Sequence, residues 1–156
     1  MKILKFGGSS LKSSSSIKKV IQRICNDKPI GVVVSAAGET TDQILEIIAS
    51  SEMGNDHKDD LSVLLKKFIL LAEELNLEKS SYLSLIDSLQ AEVEPFFNEI
   101  KKGKYANKKS KDAILSIGER LTAHVITQTC LYHKLDVAFL DAREVIVTDD
   151  NFGNAY

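Results

Sequence analysis

The sequence predicts an α/β protein with a mainly parallel sheet and an inserted helical hairpin. Short apolar runs that end at small residues alternate with amphipathic helices over residues 2–48. This alternation favours parallel strands with helices on the faces of the sheet. Two long amphipathic patterns with no strand between them then occupy the middle third, and the α/β alternation resumes in the last third.

The first elements follow from local patterns. Residues 2–6 form an apolar run that stops at two glycines, as a buried strand would. A serine cluster at 13–16 offers N-caps for a helix that ends before Pro29. Its apolar face consists of Ile17, Val20, Ile21 and Ile24. The β-branched residues 30–34 predict a second strand, and Thr40 or Thr41 is expected to cap the next helix.

The middle and last thirds are mostly helical. Amphipathic patterns predict helices over residues 59–75 and 80–101, with a kink or break at Pro95. The face of the second helix is expected to carry Tyr82, Leu85, Ile86, Leu89, Val93, Phe96 and Ile100. The lysine-rich residues 101–111 are interpreted as a solvated linker. A long helix over 111–133, interrupted or re-entered near Gly118, then precedes a strand at 137–140 and a short strand or bridge at 145–148.

Composition limits the classes of protein that the chain can represent. It has 156 residues, 44% of them hydrophobic, with a net charge of −2. This mix is that of a globular domain, and the charge gives no general attraction to nucleic acid or anionic membranes. Cys25 and Cys130 fit neither a metal-ligand spacing nor a disulfide framework. With no signal peptide and no apolar run of membrane-spanning length, a soluble cytoplasmic protein is expected.

The first candidate site is the loop that follows the first strand. Glycines after a buried strand let the backbone approach a ligand, and N–H groups at the start of the next helix can bind anionic oxygens. Such a loop is formed here by Gly7, Gly8 and Ser9, and Lys5 at the end of the strand is able to add positive charge. A plain tight turn explains the same glycines, and the loop matches neither common nucleotide-binding glycine motif.

Three further segments carry polar residues where the chemistry of a site would need them. Residues 35–42 follow the second strand, where ligands gather in open α/β sheets, although helix capping also explains their threonines. Glu119 lies in an apolar helical stretch, where it is suited to bind an ammonium group or to pair with Arg120 or another basic residue. Asp149 and Asp150 suggest either a metal site or an acidic turn.

These segments together resemble one family. Residues 5–10 (KFGGSS) resemble the K-(F/Y)-G-G-(T/S)-S signature that opens aspartate kinases, and residues 33–42 (VVSAAGETTD) are similar to their V-V-S-A-x-G-x-T-T-D segment. Residues 116–123 (SIGERLTA) resemble their S-x-G-E-R-L-S-A helix. Residues 141–143 (DAR) and 148–155 (TDDNFGNA) resemble their D-A-R and T-D-(D/N)-x-F-G-N-A sequences. The four matches occur in the family's order and span nearly the whole chain.

The resemblance implies a fold and a reaction. The fold is the amino acid kinase fold, a three-layer αβα sandwich, and the helical hairpin resembles the insertion of the lysine-sensitive type. The reaction transfers the γ-phosphate of ATP, with Mg²⁺, to the β-carboxylate of L-aspartate, the first step toward lysine, threonine and methionine. Lys5, Gly7, Gly8 and Ser9 would cradle the ATP phosphates, with Lys5 catalytic. Ser35, Thr41 and Glu119 would bind the amino acid, and no residue is assigned to a metal.

The resemblance also implies a domain organisation. Family members continue well past residue 156, so we expect residues 1–156 to be the N-terminal part of an amino acid kinase domain, with the insertion at about 55–110. The G-R-G-G-S-D type segment, the nucleotide-binding half and the ACT domains are absent from this sequence. We expect a homo-oligomer for the full-length protein, and the alternative is a non-catalytic module that binds aspartate or pairs with another chain.

Overall fold

The computed structural model describes residues 2–154 and confirms the order of strands and helices at the start of the chain. Strand β1 (Ile3–Phe6) is followed by a 3₁₀ turn (Gly8–Leu11), helix α1 (Ser14–Asp27) and strand β2 (Gly31–Val34). Four helices follow, namely α2 (Thr40–Glu52), α3 (Lys58–Glu74), α4 (Ser80–Gly103) and α5 (Lys108–Tyr132). A second 3₁₀ turn (Ala142–Glu144) lies in the last part.

Strands β1 and β2 pair in parallel, joined by the crossover helix α1. Ile3 lies opposite Gly31, and Phe6 lies opposite Val34. Parallel pairing brings the carboxyl ends of both strands to the same edge of the sheet. The loop after Phe6 and the loop after Val34 therefore lie side by side.

Helix α1 shows how the local sequence sets the element boundaries. The Ser13 side chain accepts a hydrogen bond from the Ser16 N–H at 3.2 Å, which confirms one of the predicted serine caps. The helix ends at Asp27 and is capped by Lys28, whose φ of 45° places it in the left-handed region one residue before Pro29. The predicted apolar face of four aliphatic residues is buried.

Helices α3 and α4 form the predicted hairpin, which packs against α2 and α5. Both helices bury an apolar face. Of the predicted kink or break at Pro95, the break is wrong, because α4 is continuous through this residue. Its buried face also turns slightly from the predicted one. Phe97 is fully buried and Phe96 only half-buried, because Phe97 stands four residues after the buried Val93.

Helix α5 and the last part of the chain differ from the predictions. The helix is uninterrupted at Gly118, which is buried and gives room to a facing loop. No strand forms at 137–140 or 145–148 within the described residues. Residues 136–140 instead line a groove of about 540 Å³ together with β2 and α5. In the segment 145–148, Val147 is 90% exposed. A strand requires a hydrogen-bonding neighbour, and neither segment has one in residues 2–154.

Candidate functional site

Two loops meet at the carboxyl ends of β1 and β2. The Gly38 N–H donates to the Gly8 carbonyl at 2.9 Å, and the Ser35 N–H donates to the Phe6 carbonyl at 3.1 Å. A Cβ atom on Gly8 would lie 2.6 Å from the Ala36 carbonyl oxygen, closer than real side chains come. Gly8 is therefore required for the close contact between the two backbones.

Two side chains of helix α5 hold the loop that follows β2. Glu119 Oε1 accepts a hydrogen bond from the Ala36 N–H at 3.3 Å, and Thr122 Oγ1 accepts one from the Ala37 N–H at 2.9 Å. The Thr122 hydroxyl donates in turn to the Gly118 carbonyl at 2.8 Å. These bonds satisfy two loop amides and fix residues 36 and 37 against the helix.

The absence of a side chain at Gly118 permits this approach. A Cβ atom there would lie 3.0 Å from Ala36 Cβ and 3.1 Å from Thr40 Cγ2. The glycine that was predicted to interrupt α5 is instead a packing position under the loop and the start of α2.

The start of α2 corrects the predicted cap. Its N-cap is Glu39, which makes no capping bond through its side chain. Thr40 is the first helical residue, and its hydroxyl donates to the Ala37 carbonyl at 2.5 Å. Thr41 is exposed, so neither threonine caps the helix. Thr41 is thereby open to solvent beside the loop, where the resemblance assigns it to substrate.

The predicted phosphate loop is a tight turn that faces open space. Gly7 is extended, with φ −81° and ψ 165°, and a Cβ atom on it would have no heavy atom within 4 Å. The turn from Gly8 to Leu11 follows at once, and its first N–H groups have no acceptor in a preceding turn. Lys5 and Ser9 are exposed. The geometry accommodates both interpretations of this loop, a phosphate cradle and a turn.

Glu119 does not pair with Arg120, one of the basic partners that the sequence left open for it. Arg120 Nη1 bonds Glu92 Oε1 at 2.9 Å, and its Nε lies 3.3 Å from Asp141 Oδ2. Arg143 bonds the same aspartate at 2.8 Å. Hydrogen bonding to Arg143 holds the pKa of Asp141 below its usual value, and hydrogen bonding to Arg120 does the same for Glu92.

Neither the contact of Thr122 with the loop nor the ion cluster of Glu92, Arg120, Asp141 and Arg143 was predicted from the sequence. Thr122 lies four residues after Gly118, so the two share a helix face, and this spacing is a signal that was available. Glu92 carried no such signal, because its partners are distant in the chain.

The acidic pair near the end of the described residues lies in a turn. The Asn151 N–H donates to Asp149 Oδ1 at 3.2 Å, and the Phe152 N–H donates to the Asp150 carbonyl at 3.0 Å. Ala155, the last residue of the matching motif, lies outside the described residues. Within residues 2–154 no three His, Cys, Asp or Glu side chains are grouped to hold a metal ion. No helix in that range is long and apolar enough to span a membrane.

Comparison with known proteins points to one family. The aspartokinase of Chlamydia muridarum is 33% identical over 154 residues, covering 96% of this chain and 32% of the relative. That of Chlamydia pneumoniae is 31% identical over 155 residues, covering 98% of this chain and 32% of the relative. The chain thus spans about a third of the length of these curated relatives.

Solved structures match the fold. Aspartokinase III of E. coli in complex with aspartate and ADP superimposes with a TM-score of 0.82 at 18% identity, covering 98% of this chain and 34% of that one. The aspartate kinase of Clostridium acetobutylicum gives a TM-score of 0.63 at 25% identity, covering 92% and 31%. These matches confirm the predicted fold class. The family model for the amino acid kinase family matches residues 1–154, so the chain belongs to the amino acid kinase family.

Proposed function

We propose that the chain forms the amino-acid-binding part of an aspartate kinase, which transfers the γ-phosphate of ATP to the β-carboxylate of L-aspartate and yields 4-phospho-L-aspartate. The observation that carries the proposal is the contact of Glu119 with the Ala36 amide. It places a carboxylate beside the loop that Gly8 and Gly38 join to the glycine turn. An acid suited to a substrate ammonium and a turn suited to phosphate thereby adjoin the same loop.

The glycine turn would hold the nucleotide. Lys5, Gly7, Gly8 and Ser9 lie at the carboxyl end of β1, where exposed lysine and serine side chains and the N–H groups that begin the 3₁₀ turn suit anionic oxygens. A side chain on Gly8 would fill the space against the Ala36 carbonyl, so only glycine keeps this backbone in place. Mg²⁺ would arrive with the phosphates, its usual partners, and neutralise their charge.

The second loop and α5 would hold the amino acid. Glu119 is exposed and makes one long hydrogen bond to the loop, while a carboxylate can accept about four. It therefore has the capacity to accept hydrogen bonds from a substrate ammonium group. Thr41 and Ser35 flank the same loop and would bond the substrate carboxylate or shape the floor between the two sites.

The chemical step needs little from a general base. The β-carboxylate of aspartate is ionised at neutral pH, since its pKa is about 3.9. The carboxylate oxygen forms the new P–O bond as the bond to ADP breaks. Catalysis would therefore depend on placing the two reactants and on spreading the phosphoryl charge over Lys5, the backbone N–H groups and Mg²⁺.

We further propose that residues 1–156 are the N-terminal part of the kinase domain, with its insertion at about 55–110. The nucleotide-binding half and any regulatory domains would lie outside these residues, in line with the greater length of the relatives. The whole protein would be a cytoplasmic homo-oligomer of the pathway to lysine, threonine and methionine.

Acyl phosphate trapping with hydroxylamine tests the proposal. The protein as its gene encodes it is incubated with ATP, Mg²⁺ and L-aspartate, with L-glutamate and L-asparagine as control acceptors. We expect hydroxamate from L-aspartate alone and a fall of at least about 100-fold in rate for Lys5→Ala, the scale for losing one group that stabilises transition-state charge. The matched control is Lys19→Ala, an exposed lysine on α1. Equal rates for Lys5→Ala and Lys19→Ala would contradict the assignment of Lys5 to the phosphate site.

One observation favours the non-catalytic alternative. The outer face of the sheet carries Ile3 and Val33, which are 59% and 51% exposed, and parallel sheets are normally covered on both faces. A module that pairs with a separate chain would use this face. Binding of L-aspartate without hydroxamate formation by the whole gene product would support this alternative.

A further inference from the structure

Four charged side chains form a cluster on the side of α5 that faces the inserted hairpin. Glu92 lies on α4, Arg120 on α5, and Asp141 and Arg143 in the segment that forms the second 3₁₀ turn. Glu92 Oε1 lies 2.9 Å from Arg120 Nη1 and 3.2 Å from Arg143 Nη1. Asp141 Oδ2 lies 3.3 Å from Arg120 Nε and 2.8 Å from Arg143 Nη2. Two acids and two arginines balance in charge.

Arg120 has a different place in this cluster from Arg143. Arg143 bonds Asp141 through its side chain and its own N–H, so most of its contacts stay within one short segment. Arg120 bonds two other elements through different nitrogens of its guanidinium, Nη1 and Nε. The rigid planar group holds both bonds in fixed directions, whereas a lysine ammonium is a single flexible donor centre. The side chains of Arg120 and Asp141 are only 15% and 10% exposed, so water screens this pair poorly.

The turn of α5 that carries Arg120 also carries the contacts to the substrate loop. Glu119 precedes Arg120 and accepts from the Ala36 N–H, and Thr122 follows it and accepts from the Ala37 N–H. One helical turn is therefore held by the ion cluster on one side and holds the loop on the other. A shift or rotation of this turn would move the Glu119 carboxylate relative to residues 35–38.

Stability alone is a weak reason for such a cluster. Partly buried ion pairs lose much of their attraction to the cost of desolvation, and apolar residues often stabilise a fold equally well. What hydrogen-bonded pairs with fixed geometry add is the relative position of the elements that they join.

We propose that Arg120 is a positioning residue, which by bonding Glu92 and Asp141 fixes the α5 turn that places Glu119 against the substrate loop. The inserted hairpin, through Glu92, thereby contributes to the geometry of the amino-acid site. The inference rests on the proposed function only in the role of Glu119 toward aspartate, and the contact of Glu119 with Ala36 can be measured without any substrate.

The first experiment measures that contact in the protein without ligands. Amide hydrogen exchange and ¹H–¹⁵N shifts of Ala36 and Ala37 are compared in wild type, Arg120→Met and Arg120→Lys. We expect Arg120→Met to speed exchange at Ala36 by about tenfold, the scale for losing one charge-assisted contact, and Arg120→Lys to recover part of the protection. The matched control is Arg23→Met, which removes an ion pair with Asp27 on α1 and should leave both amides unchanged.

Glu92→Gln is a second, milder variant for the case that Arg120→Met does not fold. Glu92 is 33% exposed, so its loss of charge is milder, and the Ala36 amide should change in the same direction by a smaller factor. If Ala36 and Ala37 keep wild-type exchange and shifts in a folded Arg120 variant, or in Glu92→Gln should that variant alone fold, the positioning role is refuted.

A second experiment separates this inference from the proposed function. In the hydroxamate assay with the whole gene product, Arg120→Met should raise KM for L-aspartate about tenfold while KM for ATP stays within about twofold, because the cluster acts on the amino-acid loop. If wild type forms no hydroxamate, the proposed function fails and the amide measurement still decides the role of Arg120. An equal rise in both KM values would contradict a role confined to the amino-acid loop.

Discussion

Replacing Gly8 by alanine tests whether the two loops of the site depend on close backbone contact. The added Cβ atom would lie 2.6 Å from the Ala36 carbonyl oxygen and 3.1 Å from that of Gly38. Both neighbours are backbone atoms, so neither can turn aside as a flexible side chain would. The loops must separate, and the 2.9 Å hydrogen bond from the Gly38 N–H to the Gly8 carbonyl would lengthen or break.

The expected loss of stability follows from these contacts. Inserting a methyl group into a tightly packed site costs about 1 to 3 kcal/mol, and losing one hydrogen bond adds about 1 kcal/mol. We therefore expect Gly8→Ala to lower the free energy of unfolding by about 3 kcal/mol. For a chain of this size that corresponds to a fall in Tm of about 6 to 12 °C, measured by thermal unfolding followed by circular dichroism.

Gly7→Ala is the matched control. Gly7 has a φ of −81°, which alanine adopts readily, and a Cβ atom there would have no heavy atom within 4 Å. Its Tm should stay within about 2 °C of wild type or rise slightly, because alanine restricts the unfolded chain. Equal Tm values for the two variants would refute the close contact of the loops.

Three further predictions concern the elements around the site. Gly118→Ala should lower the free energy of unfolding, measured with urea, by about 1 to 2 kcal/mol, since its Cβ atom would lie 3.0 Å from the facing loop. The control Gly103→Ala has open space around the added Cβ atom and should be neutral or stabilising. Ser13→Ala should lower the stability by about 1 kcal/mol through loss of the α1 cap, and an unchanged urea midpoint would contradict that cap. Hydrogen bonding to Arg143 lowers the pKa of Asp141 below its ordinary 3.8, so the folded state binds fewer protons than the unfolded state and this contribution is lost as the pH falls through the lowered pKa. Asp141→Asn should therefore flatten the decline of the urea midpoint below about pH 4, and an unaltered slope would show that this pair does not contribute to it.

The helices near the start of the chain and in the hairpin were predicted correctly because their apolar faces, caps and ends depend on residues that are neighbours in the sequence. The α1 face from Ile17 to Ile24, its Ser13 cap and its end before Pro29 all come from neighbouring residues in the chain. The same holds for the two helices of the hairpin. Pro95 was expected to kink or break α4, but tertiary packing of the buried face on both sides of it keeps the helix continuous.

The predictions that failed depend on partners elsewhere in the chain. Residues 137–140 have the composition of a strand, but a strand forms only where a neighbour offers its hydrogen bonds. Gly118 was predicted to interrupt α5 because its contact with Ala36, which is distant in the chain, cannot be seen from the neighbouring sequence. Similarly, the pairing of Glu119 with a backbone amide, rather than with the adjacent Arg120, follows from the fold alone.

The candidate site was predicted in part. Its motifs identified the loops that the structure brings together at the ends of β1 and β2. The roles of Lys5, Ser35 and Thr41 toward ligands stay predictions. The spacing of Thr122 from Gly118 places the two on one helix face, but the sequence does not identify its partner Ala37, which is 85 positions away.

The most direct test of the central claim is to identify the atom that is phosphorylated. The protein as its gene encodes it is incubated with ATP, Mg²⁺, hydroxylamine and L-aspartate labelled with ¹³C at C4, and the product is observed by ¹³C NMR. We predict that the labelled carbon becomes the carbonyl of the β-hydroxamate, and that Glu119→Gln lowers this rate at subsaturating aspartate while Lys19→Ala does not. Absence of the β-hydroxamate in wild type, or an undiminished rate in Glu119→Gln, would contradict the account.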